Sequence, residues 1–235
     1  MERAMFSPET EPNSLCALLY LASPARPTGA FSWSGGLAAL IDEGLVDGEN
    51  IGSFLKDLAY LALCKTELPL LARAFAAALG KDRDGLFYIN SLSMALKETS
   101  EKRLEEKELG GAVIRLLKAQ DLYPAWLGED LPQLGYICAQ GIFAAAMGLK
   151  LHNSRDLLLA HLFSYLENLV TVGTKTLPLG QNAAQKVLLE LISELDRVVD
   201  EAQELTTYED IGFSTPLLSV LSSWHEDSPM RMYRS

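Results

Sequence analysis

Pro178-Leu179-Gly180-Gln181-Asn182-Ala183-Ala184-Gln185-Lys186-Val187-Leu188-Leu189-Glu190-Leu191-Ile192-Ser193-Glu194-Leu195-Asp196-Arg197-Val198 carries the pattern that decides the fold. Ala184, Val187, Leu188, Leu191, Leu195 and Val198 recur at spacings of three and four and so share one stripe of an α-helix, while Gln185, Lys186, Glu190, Glu194 and Arg197 line the other side. One face of this helix must be buried against something. The proline and glycine before it end one helix and open the next.

Upstream, Leu157, Leu158, Leu159, Leu162, Phe163, Tyr165, Leu166, Leu169 and Val170 make a second helix apolar almost all round, which predicts a central position with neighbours on every side. Ser154 reads as its N-cap, with Asp156 in the first turn. Helical spacing recurs along the chain, and clusters of β-branched residues between turn signals are missing. The expected helices lie near 14–22, 34–43, 50–64, 67–79, 84–96, 100–119, 131–148, 154–173, 181–202 and 216–223. The expectation is all-α: a single-domain bundle, residues 1–235, of about ten helices around a central apolar helix.

Composition narrows the function. The 235 residues are 49% apolar with mean hydropathy +0.10, enough for one substantial core, and no Pro/Ser-rich linker divides them. The net charge of −11 repels a phosphate backbone, which argues against nucleic acid as a partner. Residues 1–14 carry Glu2, Glu9 and Glu11 and lack a basic region followed by an apolar run, so a cytoplasmic protein is expected. The apolar windows Leu68 to Leu79 and Ile137 to Leu149 fall short of the ~20 residues of a bilayer span, so no membrane association is expected.

Cys16, Cys64 and Cys138 lack the paired spacing of a zinc or redox site and read as buried free thiols. Cys138 with His152 or His161 as a metal site is the sharper alternative, although three histidines in all make a poor ligand set.

Four segments stand out as candidate interaction surfaces. The loop Ser23-Pro24 … Pro27-Thr28-Gly29-Ala30-Phe31-Ser32-Trp33-Ser34-Gly35-Gly36 combines restrained and permissive backbone with two large aromatics, which suits either a structural elbow or a preorganised binding surface. Pro178-Leu179-Gly180-Gln181 leaves free N–H groups at a helix start, and equally fits a buried turn. The block from Lys97 to Glu108 places Lys97 four residues from Glu101 and Glu98 four from Lys102, as on a solvated helix face. The tail 224–235 holds Trp224, His225, Glu226, Arg231, Tyr233 and Arg234, residue types that dominate binding hot spots, and reads as a segment that orders on a partner.

Taken together, the loop, the block Glu98-Thr99-Ser100-Glu101-Lys102-Arg103-Leu104-Glu105-Glu106, the Pro-Leu-Gly-Gln turn and the ending Arg231-Met232-Tyr233-Arg234-Ser235 resemble the hallmark segments of the urease accessory protein UreF family, in their order and approximate spacing. Ser100, Lys102 and Leu104 depart from the family's block, and Gly35 and Ala38 stand where many members have Gln and Glu. Lys175 stands where the family most often has Arg. The resemblance implies a non-catalytic scaffold, dimeric, that binds a UreD/UreH-type accessory protein and the GTPase UreG to deliver nickel to urease apoprotein. It implies no tightly bound cofactor and no metal site, with nickel handled by the assembled complex. The interface residues it picks out are Pro24, Gly29, Phe31, Ser32, Trp33, Ser34, Gly36, Glu98, Glu101, Arg103, Lys175, Pro178, Gly180, Gln181, His225, Glu226, Arg231, Tyr233, Arg234 and Ser235.

Two rival readings stand beside it. An unrelated helical adaptor shares every compositional feature. An all-α metal-dependent enzyme would need an Asp-rich helix or a His-x-x-x-His or His-Glu-x-x-His pattern; the sequence offers only Asp82-Arg83-Asp84 and His225-Glu226. A Gly-x-x-x-x-Gly-Lys-Ser/Thr loop is missing too, which agrees with a separate GTPase.

Overall fold

The computed structural model describes residues 14–129, 132–225 and Tyr233, and among these the chain is helical with no strand. In order the helices are α1 (Ser14–Ala22), α2 (Leu37–Asp42), α3 (Ile51–Leu58), α4 (Leu68–Gly80), α5 (Arg83–Ala95), α6 (Ser100–Ala119), α7 (Tyr136–Ala146), α8 (Ser154–Thr176), α9 (Gln181–Glu204) and α10 (Pro216–His225). The stripe that opened the sequence analysis is the inner face of α9: Ala184, Leu191, Leu195 and Val198 are buried, with Val199 and Ala202 beside them. It lies against α3, α4 and α8.

The expected central helix is α8, which touches α1, α2, α3, α4 and α9. A second axis was not foreseen. α4 and α7 are the most intimately packed pair, because Gly141 of α7 meets the α4 backbone directly: a Cβ there would lie 2.8 Å from the Ala74 carbonyl carbon and the Phe75 nitrogen. Leu68, Leu71, Ala74 and Phe75 are fully enclosed as a result.

The expected break between helices at 64–67 is not a break. A π-helical stretch, Ala59–Glu67, joins α3 to α4 without interruption. Pro69 lacks an N–H and its ring would collide with the carbonyl four residues back, so the helix widens ahead of it. The carbonyl of Lys65, released from the ladder, accepts the N–H of Gly212 at 2.8 Å and ties down the α9–α10 connector.

Other boundaries shift for local reasons. Ser154 is the first residue of α8 and not its cap; a 3-10 turn, Leu151–Asn153, precedes it, and Asn153 Oδ1 accepts the N–H of Lys150. α7 starts at Tyr136 and not near 131, with extended backbone at Gly135 before it. α10 continues through His225, so Trp224 and His225 end a helix and do not open a tail. Cys64 and Cys138 are buried as expected but Cys16 is exposed, because α1 covers only Ala17, Leu18 and Leu21. One segment overlooked in the hydropathy reading, Leu151–Thr176, is long and apolar enough by length and composition to cross a bilayer. It is the helix at the centre of the bundle.

Candidate functional site: a cavity shared by loop, charged block and central helix

Segments remote in sequence converge on a cavity of about 110 Å³, roomy enough for several waters. Ala30 and Gly35 come from the early loop, Glu98, Lys102, Glu105 and Glu106 from the charged block, and His161, Tyr165 and Asn168 from α8. Phe213 and Thr215 of the α9–α10 connector also line it.

The three α8 residues are four and three apart and therefore share a face. A helix enclosed by neighbours must match such polar groups with polar partners. Asn168 Nδ2 donates to the carbonyl of Trp33 at 3.1 Å and reaches that of Ala30 at 3.5 Å, which pins the loop to α8. Gly35 adopts φ +60°, and a Cβ at that position would stand 2.6 Å from the Tyr165 hydroxyl. The positive φ favours glycine here, and a larger residue would have to displace the Tyr165 hydroxyl.

The opposite wall is ionic. Lys97 Nζ lies 2.6 Å from Glu67 Oε1 and 3.4 Å from Glu106 Oε2. Glu106 Oε1 also accepts the Ile137 N–H at 3.0 Å and the Ser93 hydroxyl at 3.2 Å. His161 Nε2 approaches Glu67 Oε2 to 3.8 Å, beyond direct hydrogen bonding, and is otherwise unpartnered. Burial by itself would push the Glu67 carboxyl up, but Lys97 and His161 hold it well below the usual carboxylate range. Burial likewise opposes the charge on Lys97, and Glu67 and Glu106 overcome it and raise its pKa. Glu105 lacks such compensation: burial pushes its carboxyl up to about 8, with Lys97 pulling against and Glu67 and Glu106 adding to the rise.

A polar chain, ending on a buried cation, continues from this cluster toward the loop. The Tyr136 and His161 rings are 5.9 Å apart, Gln140 Nε2 donates to the Tyr136 hydroxyl at 2.6 Å, and the buried Arg26 donates to Gln140 Oε1 at 2.9 Å. Among the described residues no three His, Cys, Asp or Glu side chains are grouped so as to hold a metal ion.

The UreF family model matches residues 45–192. The chain belongs to the UreF family. It is 37% identical over 227 residues to the urease accessory protein UreF of Chromohalobacter salexigens, covering 96% of both chains. To the UreF of Pseudomonas entomophila it is 38% identical over 226 residues, covering 94% of this chain and 98% of that one. To the UreF of Polynucleobacter asymbioticus it is 33% identical over 229 residues, covering 95% and 98%.

The UreF-like loop, charged block, turn and tail are placed differently by the fold. In the loop, Pro24 is exposed and Gly29 has φ +78°. Ser32 donates to the Gly29 carbonyl at 2.7 Å and Phe31 is 61% exposed at the tip. Trp33, by contrast, is 2% exposed; with Ser34 and Gly36 it lies inside the fold, where Ser34 Oγ accepts the Ala38 N–H. In the charged block Thr99 caps α6 by accepting the Lys102 N–H, so Lys97 lies outside the helix and the expected Lys97–Glu101 pair does not form. The block is therefore not a simple solvated face. Glu101 and Glu106 are buried, while Glu98 and Arg103 are exposed, Glu98 accepting from the Ser214 and Ser219 hydroxyls and Arg103 donating to the Lys97 carbonyl at 2.7 Å. Hydrogen bonds from those serines and the charge of Lys102 outweigh burial and lower the Glu98 pKa.

Lys175, Pro178, Gly180 and Gln181 are exposed at the α8–α9 turn and do not line the cavity; the turn is anchored by buried Leu179, which meets Gly173. Tyr233 is buried. Glu226, Arg231, Arg234 and Ser235, and the side chain of His225, lie outside the described residues.

Glu67, Asn168, Gln140 and Arg26 were missed as site residues, and His161 was weighed only as a metal ligand beside Cys138. The signal was present for two of them: His161 and Asn168, with Tyr165, mark a polar line on an otherwise apolar helix. Glu67 and Lys97 are thirty residues apart with nothing local to pair them.

Proposed function

We propose that this chain is a urease maturation factor: a non-catalytic, cytoplasmic scaffold that binds a UreD/UreH-type accessory protein and the GTPase UreG. Through that assembly it delivers nickel to urease apoprotein and modulates GTP hydrolysis. The observation that carries the reading is similarity to urease accessory proteins over nearly the full length of both chains. The nickel ion is cargo of the assembly, and this chain contributes shape. Phe31, held out on a loop whose backbone is fixed by Asn168, and the exposed Leu15 and Leu19 of α1 supply rigid apolar surface of the kind that anchors interfaces. A homodimer follows from the same family reading.

Arg231 and Arg234 form part of the contact to the UreD/UreH-type partner, whereas the Tyr233 ring packs inside this chain. Co-purification of an Arg231→Ala/Arg234→Ala variant with both partners tests this, the expected result being loss of the complex from a protein that unfolds at the wild-type temperature. Undiminished assembly refutes the assignment. Normal ureolysis in cells deleted for the gene refutes the function.

A further inference from the structure

The cavity contains polar atoms to which the fold supplies no partner. Four carboxyl groups line it, from Glu67, Glu98, Glu105 and Glu106, against the ammonium groups of Lys97 and Lys102. Lys97 bridges Glu67 and Glu106, and the Ser214 and Ser219 hydroxyls bond Glu98. Glu105, half-buried, makes no hydrogen bond or ion pair among the described residues. A second, independent sign comes from two other walls. His161, its side chain 5% exposed, and Thr66 both line the cavity, and His161 Nε2 and Thr66 Oγ1 are buried without a hydrogen-bond partner. Polar atoms left so are costly unless a guest satisfies them.

The winding of the chain brings part of this lining together. Leu58, Ala62, Leu63, Thr66 and Glu67 line the cavity at steps of four and five residues, whereas an α-helix groups residues three and four apart. The wider i→i+5 winding of Ala59–Glu67 turns them to one face, and such winding is found mostly at functional sites. Leu58, Leu63 and Leu109 make much of the wall apolar. Phe213, 39% exposed, and the exposed Glu98 open the cavity to solvent on one side, and Ala30, which also lines it, adjoins the exposed Phe31. Apolar walls combined with carboxylates suit an alkyl stem carrying a cationic head, which is the make-up of an arginine or lysine side chain.

We propose that the cavity is a socket for an arginine or lysine side chain of a protein partner, whose head bonds Glu105 and whose stem passes Phe213 at the rim. Only the source of the cation rests on the scaffold reading above; the affinity of the cavity for an alkyl cation does not. The chain's net charge of −11 favours the approach of a basic partner surface. Burial pushes the Glu105 carboxyl up to about 8, so an arriving head displaces a proton there.

Titration of n-butylguanidinium into the full chain at pH 9, followed by methyl NMR, tests the socket directly. Expected are saturable shifts at Ala30, Ala62 and Leu63, binding about tenfold weaker in Glu105→Gln, and no binding of butylurea, the neutral isostere. Absence of saturable shifts, or equal binding of butylurea, overturns the socket without need of a variant; undiminished affinity in a folded Glu105→Gln overturns the role of Glu105. The same titration on the complex with the accessory partners reads the source of the cation. Exclusion of the probe is expected, and a probe that binds the complex with unchanged affinity overturns the partner assignment and gives the socket to a free organic cation.

Discussion

Replacing Lys97 with Met removes the one cation that two buried carboxylates share while keeping most of the side chain's apolar stem. The Lys97 and Glu67 side chains are each only 15% exposed, so solvent screening is weak. At an effective dielectric constant of about 20, unit charges 2.6 Å apart attract by about 6 kcal/mol. Part of this is offset because the variant no longer buries an ammonium, leaving a loss of about 3–5 kcal/mol when one member of a buried pair is removed. For a chain of 235 residues that is a fall of about 6–20 °C in the unfolding midpoint. Urea unfolding at fixed pH measures it directly. The pH dependence carries the sign. In the wild type Glu67 is held below its ordinary value, so its stabilising contribution is present above pH 4.5 and lost as pH falls. In Lys97→Met the carboxyl is free to rise and take a proton, so the gap between the proteins narrows as the solution is acidified toward pH 5. Adding Glu67→Gln to the variant recovers part of the loss. A deficit under about 1 kcal/mol at pH 7, or one that stays constant down to pH 5, would falsify the picture of an ionic cluster shielded from bulk solvent.

Two further outcomes follow from the same geometry. Gly141→Ala drives a methyl group into the α4 backbone at Ala74 and Phe75, which cannot yield as a side chain can; a loss of about 1–3 kcal/mol in denaturant unfolding is expected, and a neutral variant would mean the α4–α7 contact is loose. Phe31→Ala removes an exposed ring from the loop tip, so stability stays within about 0.5 kcal/mol while co-purification with the accessory partner falls. Unchanged capture would remove Phe31 from the interface.

The all-α architecture, the central place of α8 and the inner face of α9 were legible in the sequence because they rest on local periodicity: a stripe at three- and four-residue spacing needs burial whatever covers it. The joined helix through Ala59–Glu67 was not legible, since Pro69 signals a disruption of the ladder without saying whether the chain breaks or widens. The charged block shows the limit most clearly. Lys97 and Glu101 have helical spacing, yet the Thr99 cap starts the helix after Lys97 and frees its side chain to turn inward. Likewise Trp33 and Phe31 are two residues apart in one loop and look alike as large aromatics, but Asn168 grips the Trp33 carbonyl and the fold encloses one ring and displays the other.

By itself, then, the order of residues determined which helices form, which of them carry a buried face, and the family they belong to. The tertiary structure alone decided that Glu67, Lys97, Glu106 and His161 meet in one cavity with Glu105 left uncompensated. The physical reason is that helix patterning is set by neighbours three and four residues away, whereas ionic pairing in a core is set by which helices come to lie side by side.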